Sequence, residues 1–146
     1  MKKTMILAIN LLVLLLLCSC QNEEQNSMQN TNTKTATFIN GVTDADVWVL
    51  PQTEKNLKTT VWGTATISKI KTDESRQFSL CEPGDDGLYI LRMIDTESFY
   101  YSADGIALEE GWTLRIEGND LWSIVVEVLD ESGVLQNTYE VFSARL

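Results

Sequence analysis

The sequence predicts an all-β fold for residues 36–146, an antiparallel β-sandwich or flattened barrel of seven to nine short strands. Three observations carry this. Apolar and polar side chains alternate with a period of two in several short runs, most cleanly in WTLRIEG at 112–118, where Trp112, Leu114 and Ile116 share one face. Turn signals recur between those runs: NGVTDAD from Asn40, EPGDDG from Glu82, DTES from Asp95, ADG from Ala103, EEG from Glu109 and DESG from Asp130. No long stretch carries the 3.6-residue periodicity of an amphipathic helix.

The elements follow in chain order. Residues 1–19 begin with Lys2 and Lys3 and continue as an apolar run to Leu17, broken by Asn10, which is too short to cross a bilayer. Leu17-Cys18-Ser19-Cys20 then resembles the lipobox of bacterial lipoproteins. The resemblance implies that Cys20 receives a thioether-linked diacylglycerol and becomes the first residue of the mature chain, while Cys18 leaves with the signal. It also implies a cell-membrane or outer-membrane location facing outside the cytoplasm. Gln21 stands where Gram-negative lipoproteins retained at the inner membrane commonly carry Asp. A single acyl chain anchors marginally, whereas two or more hold firmly, each buried methylene adding roughly 0.8 kcal/mol.

Residues 20–35 are expected to form a polar tether, since Met28 is the one apolar side chain between Gln21 and Thr35. A flexible chain of that length holds its domain about 20 Å from the surface on average. Within the domain, VWVL at 47–50 and QFSLC at 77–81 read as half-buried strands. GLYILRMI at 87–94 and WSIVVEVL at 122–129 are apolar on both faces and read as strands covered on both sides. The expected core includes Trp112, Leu114, Ile116, Ile124 and Val126.

Val47-Trp48-Val49-Leu50-Pro51, Val61-Trp62-Gly63, Tyr89-Ile90-Leu91-Arg92 and Ile106-Ala107-Leu108 together resemble a small β domain found in bacterial exported proteins and lipoproteins. In that pattern an early strand ends in Ser-Pro, a Trp-Gly follows, and a Tyr-Asp-x-Arg strand leads to an acidic hairpin. The likeness spans about residues 38–117. It departs at Leu50, where Ser is usual, at Ile90, where Asp is usual, and in the closing hairpin of residues 120–146. The resemblance implies no established chemistry.

Charge and composition exclude several function classes. The chain has 11 basic and 21 acidic residues, a formal charge of −10, and loss of residues 1–19 makes it −12. Such a balance repels polyanions, and no basic cluster follows Lys3 to replace phosphate counterions, so nucleic acid is not an expected partner. There is no histidine, which removes the common general base, zinc ligand and triad member. Cys81 would be the lone thiol of the mature domain beside acylated Cys20, with no intramolecular disulfide and no neighbouring cation to activate it. The expectation is therefore a non-enzyme without cofactor, monomeric and anchored to the membrane through Cys20. A carboxylate-based hydrolase is the distant alternative.

Two groups could bind something. Asp44 with Asp46, and Asp85 with Asp86, offer hard oxygen ligands to calcium, but neither has the spacing of a calcium loop, and the expectation is solvated hairpin tips with no metal. Tyr100 and Tyr101, because adjacent strand residues point to opposite faces, and Trp62, beside Gly63 at the end of a polar stretch, are the aromatics expected to face a ligand. A protein or glycan ligand of the envelope fits such rings. The leading expectation is thus a binding or adhesion module, with a structural envelope lipoprotein lacking a soluble ligand as the alternative.

Overall fold

Alternation in TATFIN places Ala36, Phe38 and Asn40 on one side of a strand and Thr35, Thr37 and Ile39 on the other, and β1 (Thr35–Asn40) buries the first set. A computed structural model of the chain describes residues 33–84, 86–118 and 123–146. Cys20, Asp85 and Trp122 lie outside them, as does the expected tether up to residue 32. The end of that tether is already domain: Thr35 opens β1, and the Lys34 carbonyl accepts from the Leu80 N–H at 2.8 Å.

Among the described residues nine further strands and one short helix follow. They are β2 (Ala45–Pro51), α1 (Glu54–Lys58), β3 (Ile67–Ile70), β4 (Glu74–Ser79), β5 (Tyr89–Asp95), β6 (Phe99–Ile106), β7 (Thr113–Gly118), β8 (Ile124–Leu129), β9 (Leu135–Glu140) and β10 (Phe142–Arg145). One five-stranded sheet, here sheet A, has the order β4-β1-β7-β8-β9, and the other, sheet B, the order β10-β6-β5-β2-β3. The sandwich is therefore as expected, as two separate sheets and not a closed barrel, with one strand more than the expected range. Among the described residues all pairings are antiparallel except β1 with β7, which run parallel from Thr37 opposite Thr113 to Asn40 opposite Ile116.

The core lies between the sheets. Sheet A supplies Phe38, Leu114, Ile116, Val126 and Val128, and sheet B supplies Val47, Leu91, Met93, Tyr101 and Ile106, all fully buried. Each large apolar side chain withdrawn from water stabilises the fold by about 1.5–3 kcal/mol. Of the expected core residues, Leu114, Ile116, Ile124 and Val126 are buried, whereas Trp112 is only partly buried. Its parity is right, but it precedes the first residue of β7 and packs at the rim of the sandwich.

The two apolar runs separate. β5 is buried on both faces, as its sequence predicts. β8 is not: Ile124, Val126 and Val128 are buried while Val125, Glu127 and Leu129 are half-exposed on the outer face of sheet A. There Glu127 accepts from Arg115 of β7, directly opposite it in the ladder, and Arg115 also pairs with Glu117 at 3.0 Å.

Two irregularities shape sheet B. The register of β5 and β6 shifts between Tyr89 and Leu91, opposite Gly105, whose φ of 71° is one that glycine adopts without strain. At β3 the register against β2 shifts between Ala45 and Val47, and Lys69 sits in the left-handed region at φ 52°. That kink shortens and twists an edge strand, which discourages edge-to-edge pairing. Among the described residues no helix is long and apolar enough to cross a membrane.

Candidate aromatic site on the outer face of sheet B

With Val47 and Val49 turned into the core, Trp48 and Leu50 of β2 must point outward. On β5 the outward residues are Ile90, Arg92 and Ile94, and on β6 they include Tyr100, Ser102 and Asp104. Register brings these together: Trp48 lies opposite Arg92, Arg92 opposite Ser102, and Ile94 opposite Tyr100.

This outer face is covered by residues 52–66, which leave β2 at Pro51 and return at β3. Thr53 starts α1, its hydroxyl oxygen accepting from the Asn56 N–H at 3.1 Å. The excursion is fastened at both ends. Gln52 Oε1 accepts from the Gly105 N–H at 2.6 Å, Asn56 Nδ2 donates to the Pro51 carbonyl at 2.9 Å, and the Val49 N–H donates to Thr66 Oγ1 at 3.0 Å. Between these ties stands Trp62. Its ring stacks on Tyr100, with centroids 5.7 Å apart and planes within 10°, and meets Trp48 at 5.6 Å with a tilt of 55°. Trp48 Nε1 donates to the Gly63 carbonyl at 3.2 Å.

Trp48 is on β2 and Tyr100 on β6, with β5 between them. Neighbouring strands are about 4.8 Å apart, so a ring within 6 Å of both must lie over β5. That cover accounts for Arg92, on an outward face, being only 4 % exposed. Arg92 is held by Nη1 alone, which donates to the Leu91 carbonyl at 2.9 Å, to the Ala103 carbonyl at 3.4 Å and to Asp104 Oδ1. Among the described residues Arg92 Nε and Nη2 have no acceptor. Trp62 Nε1 is the one buried side-chain polar atom among the described residues that has no partner. A buried neutral donor without a partner costs about 1–3 kcal/mol.

The expected ligand-facing aromatics therefore divide. Trp62 and Tyr100 are both half-buried, in one aromatic cluster outside the core. Tyr101 was expected to face a ligand and does not. It is 0 % exposed, turned into the sandwich, and its hydroxyl donates to Asp95 Oδ2 at 3.0 Å. Burial, then the hydrogen bond to Asp95, push its pKa well above that of an ordinary phenol. Sequence reasoning missed Trp48 and Arg92. For Trp48 the signal was available, since a residue flanked by two core valines on a strand must face outward.

No family model, curated protein or solved structure matches the chain.

The Asp44 and Asp46 carboxylates are engaged within the fold. Asp44 Oδ2 pairs with Lys71 Nζ at 2.7 Å and Oδ1 accepts from the Thr72 N–H at 2.9 Å, so the Lys71 and Thr72 hydrogen bonds hold its carboxyl below the usual range. Asp46 Oδ1 accepts from the Lys69 N–H at 2.7 Å. Both carboxylates thereby fasten the β3–β4 hairpin beside a cavity of about 160 Å³. Asp86 is exposed. Among the described residues no three His, Cys, Asp or Glu side chains converge as metal ligands. Cys81 follows β4 and is exposed as a residue, yet desolvation of its sulfur raises the thiol pKa, which lowers the thiolate fraction a nucleophile needs.

Proposed function

We propose that this chain is a lipid-anchored lipoprotein of the cell envelope, held through Cys20 and facing away from the cytoplasm, with a non-catalytic binding or adhesion module as its β-sandwich. What carries the reading is the aromatic cluster of Trp48, Trp62 and Tyr100 outside the core. A sandwich needs no such rings on its outer face for stability, whereas rings there offer a partner large contact area at small entropic cost. Leu57 and Val61, on the same covering segment, are 42 % and 79 % exposed and extend the apolar character. The outer face of sheet A, by contrast, carries the Arg115 ion pairs. The strongly acidic balance turns away nucleic acid and anionic lipid, leaving a protein or a glycan as the partner.

Two measurements test this. Labelled palmitate should enter the wild-type protein and not Cys20→Ala, which should persist as a heavier precursor, while Cys18→Ala should label normally. Separately, the purified full chain should be retained on washed cell-envelope material, and Trp48→Ala with Tyr100→Ala should weaken retention about tenfold, since two aromatic contacts at about 0.5–1.5 kcal/mol each are lost. Equal retention by the double variant would assign the domain a structural role in the envelope instead.

A further inference from the structure

On the covered face two side chains, Trp62 and Arg92, keep donors that no protein acceptor meets. Trp62 Nε1 is the one side-chain polar atom among the described residues that is buried without a partner, Arg92 lies on the same face with no protein acceptor at Nε or Nη2, and the Trp62 ring belongs to irregular chain between α1 and β3. Gly63, next to that ring, has a φ of 71° and no neighbour within 4 Å of the place a Cβ would take. Every unmet group is a donor. Nothing beneath the ring is an unsatisfied acceptor among the described residues.

We propose that Trp62 is a displaceable plug in a ring-binding slot between Trp48 and Tyr100 above Arg92, and that the slot takes a neutral saccharide. The proposal rests on the reading of this face as a binding surface and adds the ligand class and the gating. A ring seated between Trp48 and Tyr100 needs apolar faces for stacking and acceptor oxygens at its edge for Arg92. A pyranose has both on one ring: axial C–H groups over the aromatic face, and hydroxyl and ring oxygens at the rim. An aromatic side chain of a peptide partner supplies the face without the acceptors. A polyanionic glycan suits Arg92 locally, but Asp104 already neutralises that guanidinium and the domain as a whole is strongly acidic. In the closed state Trp62 supplies the stacking and leaves the donors unmet; in the open state the saccharide supplies both.

The plug and a simple contact residue predict opposite effects, because a ligand that must first open its site binds more weakly by the fraction of time the site is open. The probes are neutral tetrasaccharides, cellotetraose, chitotetraose and maltotetraose, titrated by calorimetry against the full chain in a detergent without a sugar headgroup. If the slot is open about one-tenth of the time, Trp62→Ala should bind the preferred probe about tenfold more tightly than wild type, and Tyr100→Ala should lose binding. Wild-type tryptophan emission should shift to the red on binding as Trp62 enters solvent, a measurement that stands even if Trp62→Ala folds poorly. Weaker binding by Trp62→Ala, or a blue shift in wild type, would overturn the plug while leaving the aromatic face as a binding surface. Binding of an aromatic-rich peptide and of no saccharide would overturn the ligand class. If no tetrasaccharide binds wild type or Trp62→Ala at millimolar concentration, the proposal fails whatever envelope retention shows, and loss of retention in the Trp48→Ala, Tyr100→Ala double variant would keep the binding reading itself alive.

Discussion

Asp95 receives the Tyr101 hydroxyl on Oδ2 at 3.0 Å while its Oδ1 accepts the N–H groups of Glu97 and Phe99 at 2.9 and 2.8 Å. One nearly buried carboxylate thus fixes both the turn from β5 to β6 and the face of β6 that enters the core. Tyr101→Phe removes the hydroxyl from an oxygen that water reaches poorly. It should cost about 1–3 kcal/mol, read as a lower urea midpoint at unchanged slope. A midpoint within error of wild type would show that Asp95 holds the turn without Tyr101.

The same phenol sets an alkaline limit. The pKa of Tyr101 is raised by burial and Asp95, and that of Tyr89, whose hydroxyl donates to the Cys81 carbonyl at 2.6 Å, is pushed up to about 12, chiefly by burial. A folded-state pKa above the ordinary value of 10.0 favours the protonated native form. This stabilisation is complete below pH 10 and is lost as the pH rises from there towards the folded-state values. Melting temperatures should accordingly fall above about pH 10, less steeply in Tyr101→Phe; identical slopes would contradict the assignment.

At the acid end the relevant pair is Asp44 with Lys71. The carboxyl is held below its ordinary 3.8 by Lys71 and Thr72, so the pair contributes fully above that pH and fades as the pH falls through the lower folded value. Both groups are solvent-exposed, and the effect is confined to fraying of the β3–β4 hairpin. The protection of the Thr72 amide, its exchange relative to an unstructured peptide at the same pH, should fall on acidification in the wild type and be low at all pH values in Asp44→Ala. Equal protection in the two proteins at neutral pH would remove the role given to Asp44.

Packing separates two residues of one alternating run. Leu114 is 0 % exposed and Trp112 only partly buried, so Leu114→Ala should cost about 2–5 kcal/mol, and Trp112→Ala less despite its larger side chain. The reverse order in denaturant titrations would place Trp112 in the core after all.

Gly84 makes the closest backbone approach. A Cβ there would lie 2.0 Å from the Gln52 carbonyl oxygen, while the N–H groups of Gly84 and Gln52 both donate to the Leu88 carbonyl, at 3.0 and 2.9 Å. Gly84→Ala has to shift backbone, not a flexible side chain, at about 1–3 kcal/mol. Because Gln52 opens the covering segment, the variant should also change tryptophan emission. A variant with wild-type melting and emission would mean that the loop yields freely.

What could be read in the sequence was whatever depends on parity along a strand. Leu114 and Ile116 follow from the alternation of β7, and the double burial of β5 from its unbroken apolar run. Parity says that Tyr100 and Tyr101 part company but not which goes inward; that choice is made by Asp95, a residue of another strand. Trp62 sits on irregular chain, where no period applies, and its position is fixed by Trp48 and Tyr100 from two further strands. The outer side of β8 misled because Val125 and Leu129 are apolar yet lie beside Glu127 on a face that nothing fully covers. The strand count fell short because β9 and β10 are separated by Val141 alone.

The parallel pairing of β1 with β7 also imposes an order in time. Phe38 and Leu114 are register partners, so the strand that starts the domain waits for one made much later. While the chain is being synthesised, or threaded through a membrane from its N-terminal end, β1 can zip only to β4, and the middle of sheet A stays open until residue 118 has emerged. Such non-local closure is slow compared with hairpin formation. A nascent chain halted before residue 113 should therefore remain protease-sensitive in β1, and release of the arrest should protect β1 and β7 at the same moment.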